Sequence, residues 1–133
     1  MSGYSTTPLK QKLGIKEGLS IAIIASPEGF IRLLDLPSYL EIDYELKEQY
    51  HFIHFFATEK YELEMQFSNL KSHLSSQGML WISWPKKTAT IKSDLDENII
   101  RDIGLAAGLV DVKVCAIDED WSGLKFVYRL TDR

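Results

Sequence analysis

The sequence predicts an α/β domain of three layers, in which helices cover both faces of a mostly parallel sheet of about six strands. Two observations lead to this prediction. Short, almost wholly apolar segments, typical of strands buried on both faces, alternate along the chain with segments that have the apolar spacing of helices. The last two strand-like segments follow each other without a helix between them, which predicts a terminal hairpin and an antiparallel strand in the sheet.

Signals near the start of the chain predict helix, strand and helix in that order. The pair Thr7–Pro8, a cap residue followed by proline, and a glycine six residues after the proline predict a short helix over Leu9–Leu13. The apolar run Leu19–Ala25 predicts the first central strand. The pair Ser26–Pro27 repeats the cap-and-proline signal, so we expect a second short helix that ends before Pro37.

The middle of the chain predicts an edge strand, an interior strand, a long helix and another interior strand. Apolar and charged residues alternate over Leu40–Lys47, as in a strand with one wet face, whereas His51–Ala57 is almost wholly apolar. Thr58 is the expected cap of a helix whose apolar stripe runs from Leu63 to Leu74. Met79–Trp84 is the next predicted buried strand.

The last third predicts a helix and the terminal hairpin. Ser93 and Asp96 have the spacing of a capping box, and Gly108 is the expected left-handed residue after the helix. The strands are expected over Val110–Ile117 and Leu124–Leu130. The buried face of the helix is expected to carry Leu95, Ile99, Ile103 and Ala106 or Ala107.

The composition suits a single domain over residues 1–133, with residues 1–18 as an N-terminal capping segment. Hydrophobic residues make up 45% of the chain and charged residues 26%, which are globular proportions. Cys115 has no second cysteine to pair with. We expect a soluble, cytoplasmic protein, because no apolar run approaches the ~20 residues of a membrane span and no signal-peptide core is recognisable. The formal net charge of −4 argues against generic binding to nucleic acids or anionic membranes.

The charges are distributed unevenly. Residues 35–64 contain eight acidic residues and two lysines, whereas residues 86–92 contain Lys86, Lys87 and Lys92 and no acid. One local basic loop is therefore expected on an acidic body.

The order of the elements resembles the Rossmann-like fold of methyltransferases that use S-adenosylmethionine (SAM). The segment Leu13–Gly18 before the first strand and the hairpin at the end carry this resemblance. It implies the strand order 2-1-3-4-6-5, with the last strand between its two predecessors. Residues 26–50 have room for one helix and one strand only, so the implied topology is that of a reduced methyltransferase.

The whole chain also resembles a family of short bacterial proteins that share a domain of unknown function. The motifs that carry this likeness are Gly3–Leu9, Trp84–Lys87 and Gly108–Leu124. The family implies a Rossmann-like fold and a bacterial setting, and it implies no activity.

The turn after the first strand departs from the methyltransferase pattern. Ala25–Gly29 contains one glycine, Pro27 has no N–H to offer, and Glu28 stands where an anionic group of a cofactor would approach. Asp43 or Glu45 could hold ribose hydroxyls, but a solvated acid on an edge strand is the favoured interpretation. We therefore expect no cofactor, and SAM binding is kept as an alternative.

The candidate ligand site lies at the carboxyl ends of the parallel strands, where ligands collect in open α/β sheets. Trp84 offers an aromatic wall, and Lys86 with Lys87 offers a pair of cations for a phosphate, a carboxylate or a nucleotide. In the alternative interpretation these lysines pair with acids of Asp118–Asp120 and only hold the loops. The candidate residues are Ser26, Glu28, Gly29, Thr58, Trp84, Lys86, Lys87, Asp118, Trp121 and Ser122.

No catalytic or metal-ligating residue is predicted. His51 and His54 should point to opposite faces of one strand, which prevents joint ligation of a metal, and consecutive acids on a hairpin rarely converge on one ion. Ser26 lacks the glycines of a nucleophile elbow. Cys115 is expected to be an inert core thiol.

Three functions remain open at this point. The first is a non-catalytic Rossmann-like module that binds a small anionic ligand or a protein partner at the carboxyl edge. The second is a reduced SAM-dependent methyltransferase. The third is an interaction subunit that docks by strand addition at the acidic segment Glu41–Lys47.

Overall fold

The computed structural model describes residues 7–133 and contains one six-stranded sheet. Residues 3–6 of the motif Gly3–Leu9 lie outside the described residues. The helices are α1 (Leu9–Leu13), α2 (Phe30–Leu34), α3 (Lys60–Ser72) and α4 (Glu97–Ala106). The strands are β1 (Ile21–Ile24), β2 (Ile42–Asp43), β3 (Tyr50–Phe56), β4 (Leu74–Pro85), β5 (Leu109–Ala116) and β6 (Trp121–Tyr128), and a 3₁₀ turn follows at Leu130–Asp132.

The strand order is β2-β1-β3-β4-β6-β5, which confirms the predicted topology. The first four strands of this order are parallel, and β6 runs antiparallel between β4 and β5. Since β1, β3 and β4 point the same way, the segments that follow them meet at one edge of the sheet.

Helices pack on both faces of the sheet, so the three-layer prediction is also confirmed. On one face α3 and α4 cover a core that includes Phe67, Ile100 and Phe126. On the other face α1 and α2 cover a core that includes Leu13 and Phe30. Among the described residues, no helix has the length and apolar character that a bilayer span requires.

The helix caps differ from the predictions. Pro8, rather than Thr7, is the residue before α1, and Glu59, rather than Thr58, precedes α3. Gly29, rather than Ser26, precedes α2, because the chain first makes a left-handed turn with φ of 88° at Gly29. Thr7, Ser26 and Thr58 are residue types that commonly cap helices. Which residue caps a helix also depends on backbone angles, which the sequence does not give.

The start of α4 shows why the predicted capping box is wrong. The carboxylate of Asp96 accepts the N–H of Ile99 at 2.9 Å, so Asp96 itself is the cap. The hydroxyl of Ser93 accepts the N–H of Leu95 at 3.0 Å, one turn earlier. At the other end Gly108 has a φ of 92° and ends the helix as predicted.

The buried side of α4 is centred on Ile100 and Gly104, which are buried, rather than on Ile99 and Ile103, which are half-buried. A Cβ atom at Gly104 would lie 2.1 Å from Cε1 of Phe126. The missing side chain of Gly104 therefore lets α4 approach β6 closely.

Three strands differ in extent from the predictions. The predicted strand Leu40–Lys47 is reduced to β2; the Tyr50 hydroxyl donates to Asp43 at 2.5 Å and accepts the N–H of Lys47 at 3.1 Å, and Leu46 packs against the core under α3 and α4. β4 begins at Leu74, which the sequence placed on α3. The hairpin strand β6 begins at Trp121 rather than Leu124, and the other strands agree with prediction to within two residues at each end.

Candidate functional site

The carboxyl edge of the sheet carries three open clefts. The first lies between the β3–α3 connection and the loop of residues 86–95, and has a volume of about 680 Å³. The second, of about 350 Å³, lies over Trp84. The third, of about 470 Å³, lies along the β1–α2 connection. Eight of the ten predicted site residues are distributed among these clefts, and Asp118 and Trp121 line none of the three.

Lysines line one side of the first cleft, which we call the basic cleft. Lys87 and Lys92 have no hydrogen-bonded or ionic partner within residues 7–133. Asp94, on the same lining, accepts the N–H of Lys60 at 2.7 Å, so the loop is attached to the start of α3. The residues that line this cleft include Thr58, Glu59, Lys86, Lys87, Lys92 and Asp94.

Lys86 differs from its neighbours because it holds the hairpin loop. Its ammonium donates to the main-chain oxygen of Asp118 at 2.7 Å, and its main-chain N–H donates to the oxygen of Asp120 at 2.8 Å. The alternative interpretation, in which the lysines only hold the loops, is therefore correct for Lys86, although the partner is a main-chain carbonyl rather than a carboxylate. That interpretation is wrong for Lys87.

Asp118 has a structural role within the hairpin loop. One of its carboxylate oxygens accepts the N–H groups of Asp120 and Trp121, both at 2.8 Å. In the described part of the chain, no three His, Cys, Asp or Glu side chains are placed to hold a metal ion.

Trp84 and Trp121 do not form one wall, which corrects the predicted site. In the β4–β6 ladder Trp84 pairs with Ser122, and Pro85 pairs with Trp121. Because side chains alternate along a strand, this register sends the two indole rings to opposite faces. Both are 7% exposed, and each belongs to a different core: Trp121 packs edge-on against Phe56 at 5.2 Å between ring centroids.

The cleft over Trp84 brings together Trp84, Lys86, Lys87 and Ser122, with Asp96 and Asn98 from the start of α4. Only the rim of the Trp84 ring is exposed, so the cleft offers little aromatic surface for stacking. Lys87 lines both this cleft and the basic cleft, which makes the two clefts continuous at that residue.

The cleft along the β1–α2 connection is lined by Ser26, Glu28, Gly29 and Arg32. Glu28 is exposed and leaves the cleft open. Ala25 and Gly29 both have left-handed backbones, with φ of 60° and 88°, and the N–H of Phe30 is bonded to the oxygen of Pro27 at 3.2 Å. The connection therefore offers space to a ligand, and of its backbone donors the N–H of Phe30 is already used.

Asp43, one of the two acids that could hold ribose hydroxyls, is already bonded. It is half-buried rather than solvated and accepts the hydroxyl of Tyr50 at 2.5 Å, whereas Glu45 is exposed. The β1–α2 cleft fits a nucleoside cofactor by volume, and the donors and acceptors around it do not reproduce the pattern that the methyltransferase resemblance implies.

The sequence did not lead us to predict the buried pair that His54 and Ser83 form. Nε2 of His54 lies 2.6 Å from the hydroxyl of Ser83, and both side chains are fully buried. Nδ1 of His54 has no partner among residues 7–133, and burial lowers the pKa of His54 to about 3, so the ring is neutral. The alternation that places His54 with Phe52 and Phe56 on one face of β3 was the available signal.

The other histidine and the cysteine are placed as follows. His51 is exposed on the opposite side of β3 from His54, as predicted, and its Nδ1 accepts the N–H of Ser20 at 3.1 Å. Cys115 is half-buried on β5 rather than a full core residue, and it packs at the border of the core under α1 and α2. Burial raises the pKa of the Cys115 thiol, against the opposing effect of Lys12 and Lys113.

Comparison with known proteins identifies a shared fold but no family. No family model matches the chain, and no curated protein sequence matches it. The predicted likeness to a family of short bacterial proteins therefore stays an expectation.

Solved structures with a similar fold include methyltransferases. Magnesium protoporphyrin IX methyltransferase from Synechocystis PCC 6803 with bound SAH has a TM-score of 0.61 at 13% identity, over 84% of this chain and 75% of that one. The ribosomal protein L11 methylase from Lactobacillus delbrueckii subsp. bulgaricus has a TM-score of 0.57 at 12% identity, over 91% of this chain and 75% of that one. The Methanococcus jannaschii fibrillarin pre-rRNA processing protein has a TM-score of 0.51 at 18% identity, and the match covers 82% of this chain and 56% of that one.

These likenesses place the chain in a structural class. The α/β fold with strand order β2-β1-β3-β4-β6-β5 is the Rossmann-like fold of SAM-dependent methyltransferases. At such low identities the fold alone is shared, and the activity has to be argued from the site.

Proposed function

We propose that this chain is a binding module of methyltransferase-like fold that takes a small anionic ligand, such as a phosphorylated or carboxylated metabolite, in the basic cleft. The observation that carries the proposal is the pair of lysines, Lys87 and Lys92, that line one cleft at the carboxyl edge without a partner in the described chain. Cations placed in a concave site bind anions by charge-assisted hydrogen bonds.

The walls of the basic cleft support this function because they are held in place. The bond from Lys86 to Asp118 fixes one side against the hairpin, and the bond from Lys60 to Asp94 fixes the other side against α3. A ligand that enters between them therefore loses little affinity to ordering of the loop. The hydroxyl of Thr58, on the same lining, is an additional donor.

The test is a titration of the ¹⁵N-labelled protein with inorganic pyrophosphate and with ATP at constant ionic strength. The proposal expects saturable shifts confined to residues 58–60 and 86–95, weakened about tenfold in Lys87→Ala and in Lys92→Ala. Lys47→Ala is the matched control, since Lys47 is exposed, carries the same charge and lines none of the clefts. Equal affinities in Lys87→Ala and Lys47→Ala, or no shifts at millimolar ligand, would overturn the proposal.

A second candidate function is SAM or SAH binding by a reduced methyltransferase. It is favoured by the similar structures, several of which are complexes with SAM or SAH, and by the open cleft of about 470 Å³ beside Gly29. It is opposed by the bonded state of Asp43. Where SAM is bound, it supplies an activated methyl group, and the residues around it would be those of the β1–α2 connection.

Titration with SAH separates the two candidates. Shifts at residues 25–32 that are unchanged in Lys87→Ala would support the methyltransferase-like function. Calorimetry that detects no heat with millimolar SAH or SAM would rule it out. Strand addition at the acidic edge is the least favoured function, because β2 contains only two residues.

A further inference from the structure

The β5–β6 hairpin has one face covered by α4, and on its other face the end of α1 contacts β5. On the covered face Ile100 and Gly104 meet Phe126, and the guanidinium of Arg101 donates to Asp111 at 2.8 Å. On the other face Lys113 of β5 lies directly opposite Lys125 of β6, and Cys115 lies opposite Gly123. Cys115 and Lys125 are half-buried there, and Lys113 is exposed.

Two like charges directly opposite each other on neighbouring strands destabilise a sheet. The Cβ atoms of such a pair are about 5 Å apart, and here both side chains project from the same face. Burial lowers the pKa of Lys125, and the positive charges of Lys113 and Lys16 lower it further. An anion placed between these ammonium groups would relieve the repulsion.

α1 and the turn after it bring Lys12 and Lys16 to this face. Nε1 of Trp81 donates to the main-chain oxygen of Leu13 at 2.8 Å, which attaches the end of α1 to the sheet beside Lys125. The ammonium of Lys113 donates to the main-chain oxygen of Lys12 at 2.9 Å. Lys12 acts electrostatically on Cys115, and Lys16 acts on Lys125.

No carboxylate neutralises these four lysines. Across residues 7–133 the ion pairs are those of Arg101 with Glu97 and Asp111, on the far side of the hairpin. We call the group Lys12, Lys16, Lys113 and Lys125, with Cys115 among them, the lysine face. The remainder of the chain is more acidic than the formal net charge of −4 indicates, since these four cations are included in that total.

We propose that the lysine face is a second anion site, which binds the phosphate groups of a small phosphorylated molecule beside Cys115. Lys113 and Lys125 lie opposite each other on β5 and β6, and Lys12 of α1 and Lys16 of the following turn act on Cys115 and Lys125. This group of cations suits a compact ligand with two or more negative charges. A long polyanion is disfavoured because the remainder of the chain has a net negative charge. The site is separate from the basic cleft, because none of its residues lines that cleft.

Cys115 is the only cysteine of the chain and therefore reports on this face alone. The experiment compares the rate of modification by the dianionic disulfide DTNB with the rate by the neutral reagent methyl methanethiosulfonate. In each reaction the thiolate attacks the reagent disulfide or thiosulfonate and expels a thiolate or a sulfinate. The ratio of the two rates cancels changes in the fraction of thiolate, and comparison with the charge-retaining arginine variant separates the attraction of the face for an anion from changes in access for the larger reagent.

The expected result is that Lys113→Ala/Lys125→Ala lowers this ratio about tenfold at low ionic strength, as the loss of two nearby charges requires. The charge-retaining Lys113→Arg/Lys125→Arg should keep a ratio near the wild-type value, and so should Lys87→Ala/Lys92→Ala, which removes the same charge from the basic cleft. Unchanged near-ultraviolet circular dichroism establishes that each variant is folded.

Pyrophosphate is the ligand probe. At constant ionic strength it should slow the modification of wild-type Cys115 by the neutral reagent several-fold and saturably, and it should not slow that of Lys113→Ala/Lys125→Ala. Equal rate ratios in wild type and in the alanine variant would overturn the proposal, as would protection by oligonucleotide or oligo-glutamate without protection by pyrophosphate. Absence of ligand binding at the basic cleft would not change this result. Each proposal can therefore be overturned without overturning the other.

Discussion

The ammonium of Lys86 donates to the main-chain carbonyl of Asp118 at 2.7 Å, across the two loops that border the carboxyl edge of the sheet. A cation at the end of β4 thus closes the β5–β6 hairpin, with one of its donors used there. Lys87, the next residue, has no such partner in the described chain. Adjacent lysines of the same basic loop therefore have different roles, one structural and one available to a ligand.

Replacement of Lys86 by methionine should destabilise the protein, and the same replacement of Lys87 should not. Lys86→Met keeps the apolar stem and leaves the Asp118 carbonyl without its charged donor, so we expect a loss of about 1–2 kcal/mol in the free energy of unfolding. Lys87→Met should change it by less than about 0.5 kcal/mol. Urea denaturation followed by tryptophan fluorescence measures both, and equal midpoints for the two variants would contradict the assigned roles.

The carboxylate of Asp118 should be needed for the shape of the hairpin loop. In Asp118→Ala the N–H groups of Asp120 and Trp121 lose their common acceptor, which we expect to cost about 1–2 kcal/mol. Asp118→Asn keeps an oxygen in the same place and should recover about half of the loss. Amide hydrogen exchange provides the local measurement: exchange should accelerate at Asp120 and Trp121 in the alanine variant, and unchanged rates there would show that the carboxylate is dispensable.

Much of the fold was predictable because buried segments consist mostly of apolar residues. The apolar runs around Ile23 and Phe55 could belong only to strands covered on both faces, and Gly14 and Gly108 end helices with positive φ as their residue type indicates. The helix starts were less predictable. Gly29 rather than Ser26 precedes α2, because the path of the chain out of β1 fixes where helical hydrogen bonding begins.

The candidate site was only partly predictable because it depends on strand register. A one-residue offset in the β4–β6 ladder, with Trp84 opposite Ser122, places Trp84 and Trp121 on different faces, and no local pattern in the sequence specifies that offset. The lysine face depends on register in the same way. Lys113 and Lys125 lie far apart from Lys12 in sequence, and they meet only through the hairpin pairing and the attachment of α1 to Trp81.

A methyl group at Gly104 should separate α4 from the sheet. Alanine is the better helix former by about 1 kcal/mol, yet a Cβ atom at this position would lie 2.1 Å from the ring of Phe126. We expect Gly104→Ala to destabilise the protein by about 2–3 kcal/mol, as overpacking of a core does. Thermal unfolding of Gly104→Ala, Phe126→Leu and the double variant forms the test: the smaller side chain should make Gly104→Ala nearly neutral, and additive losses would exclude the steric explanation.

The buried His54 should make the protein less stable in acid. Burial lowers the pKa of His54 to about 3 from an ordinary value of 6.5. Between these two values the unfolded chain binds a proton that the folded chain does not, so the free energy of unfolding decreases as the pH falls. The contribution of this one group is up to about 1.4 kcal/mol per pH unit, and it vanishes above pH 6.5, where the ring is neutral in both states.

The variant His54→Gln isolates this contribution from that of the carboxylates, which titrate over part of the same range. Glutamine keeps an amide that can bond to the Ser83 hydroxyl and has no proton to gain, so the dependence of stability on pH between about 6 and 4 should become shallower by about 1 kcal/mol per pH unit. Phe56→Leu, a change in the adjacent ring that stacks on His54 at 4.3 Å between centroids, should lower stability while leaving the slope at the wild-type value. Urea midpoints measured at half-unit pH steps give the three slopes, and a His54→Gln slope equal to that of wild type would show that another group is responsible for the loss of stability in acid.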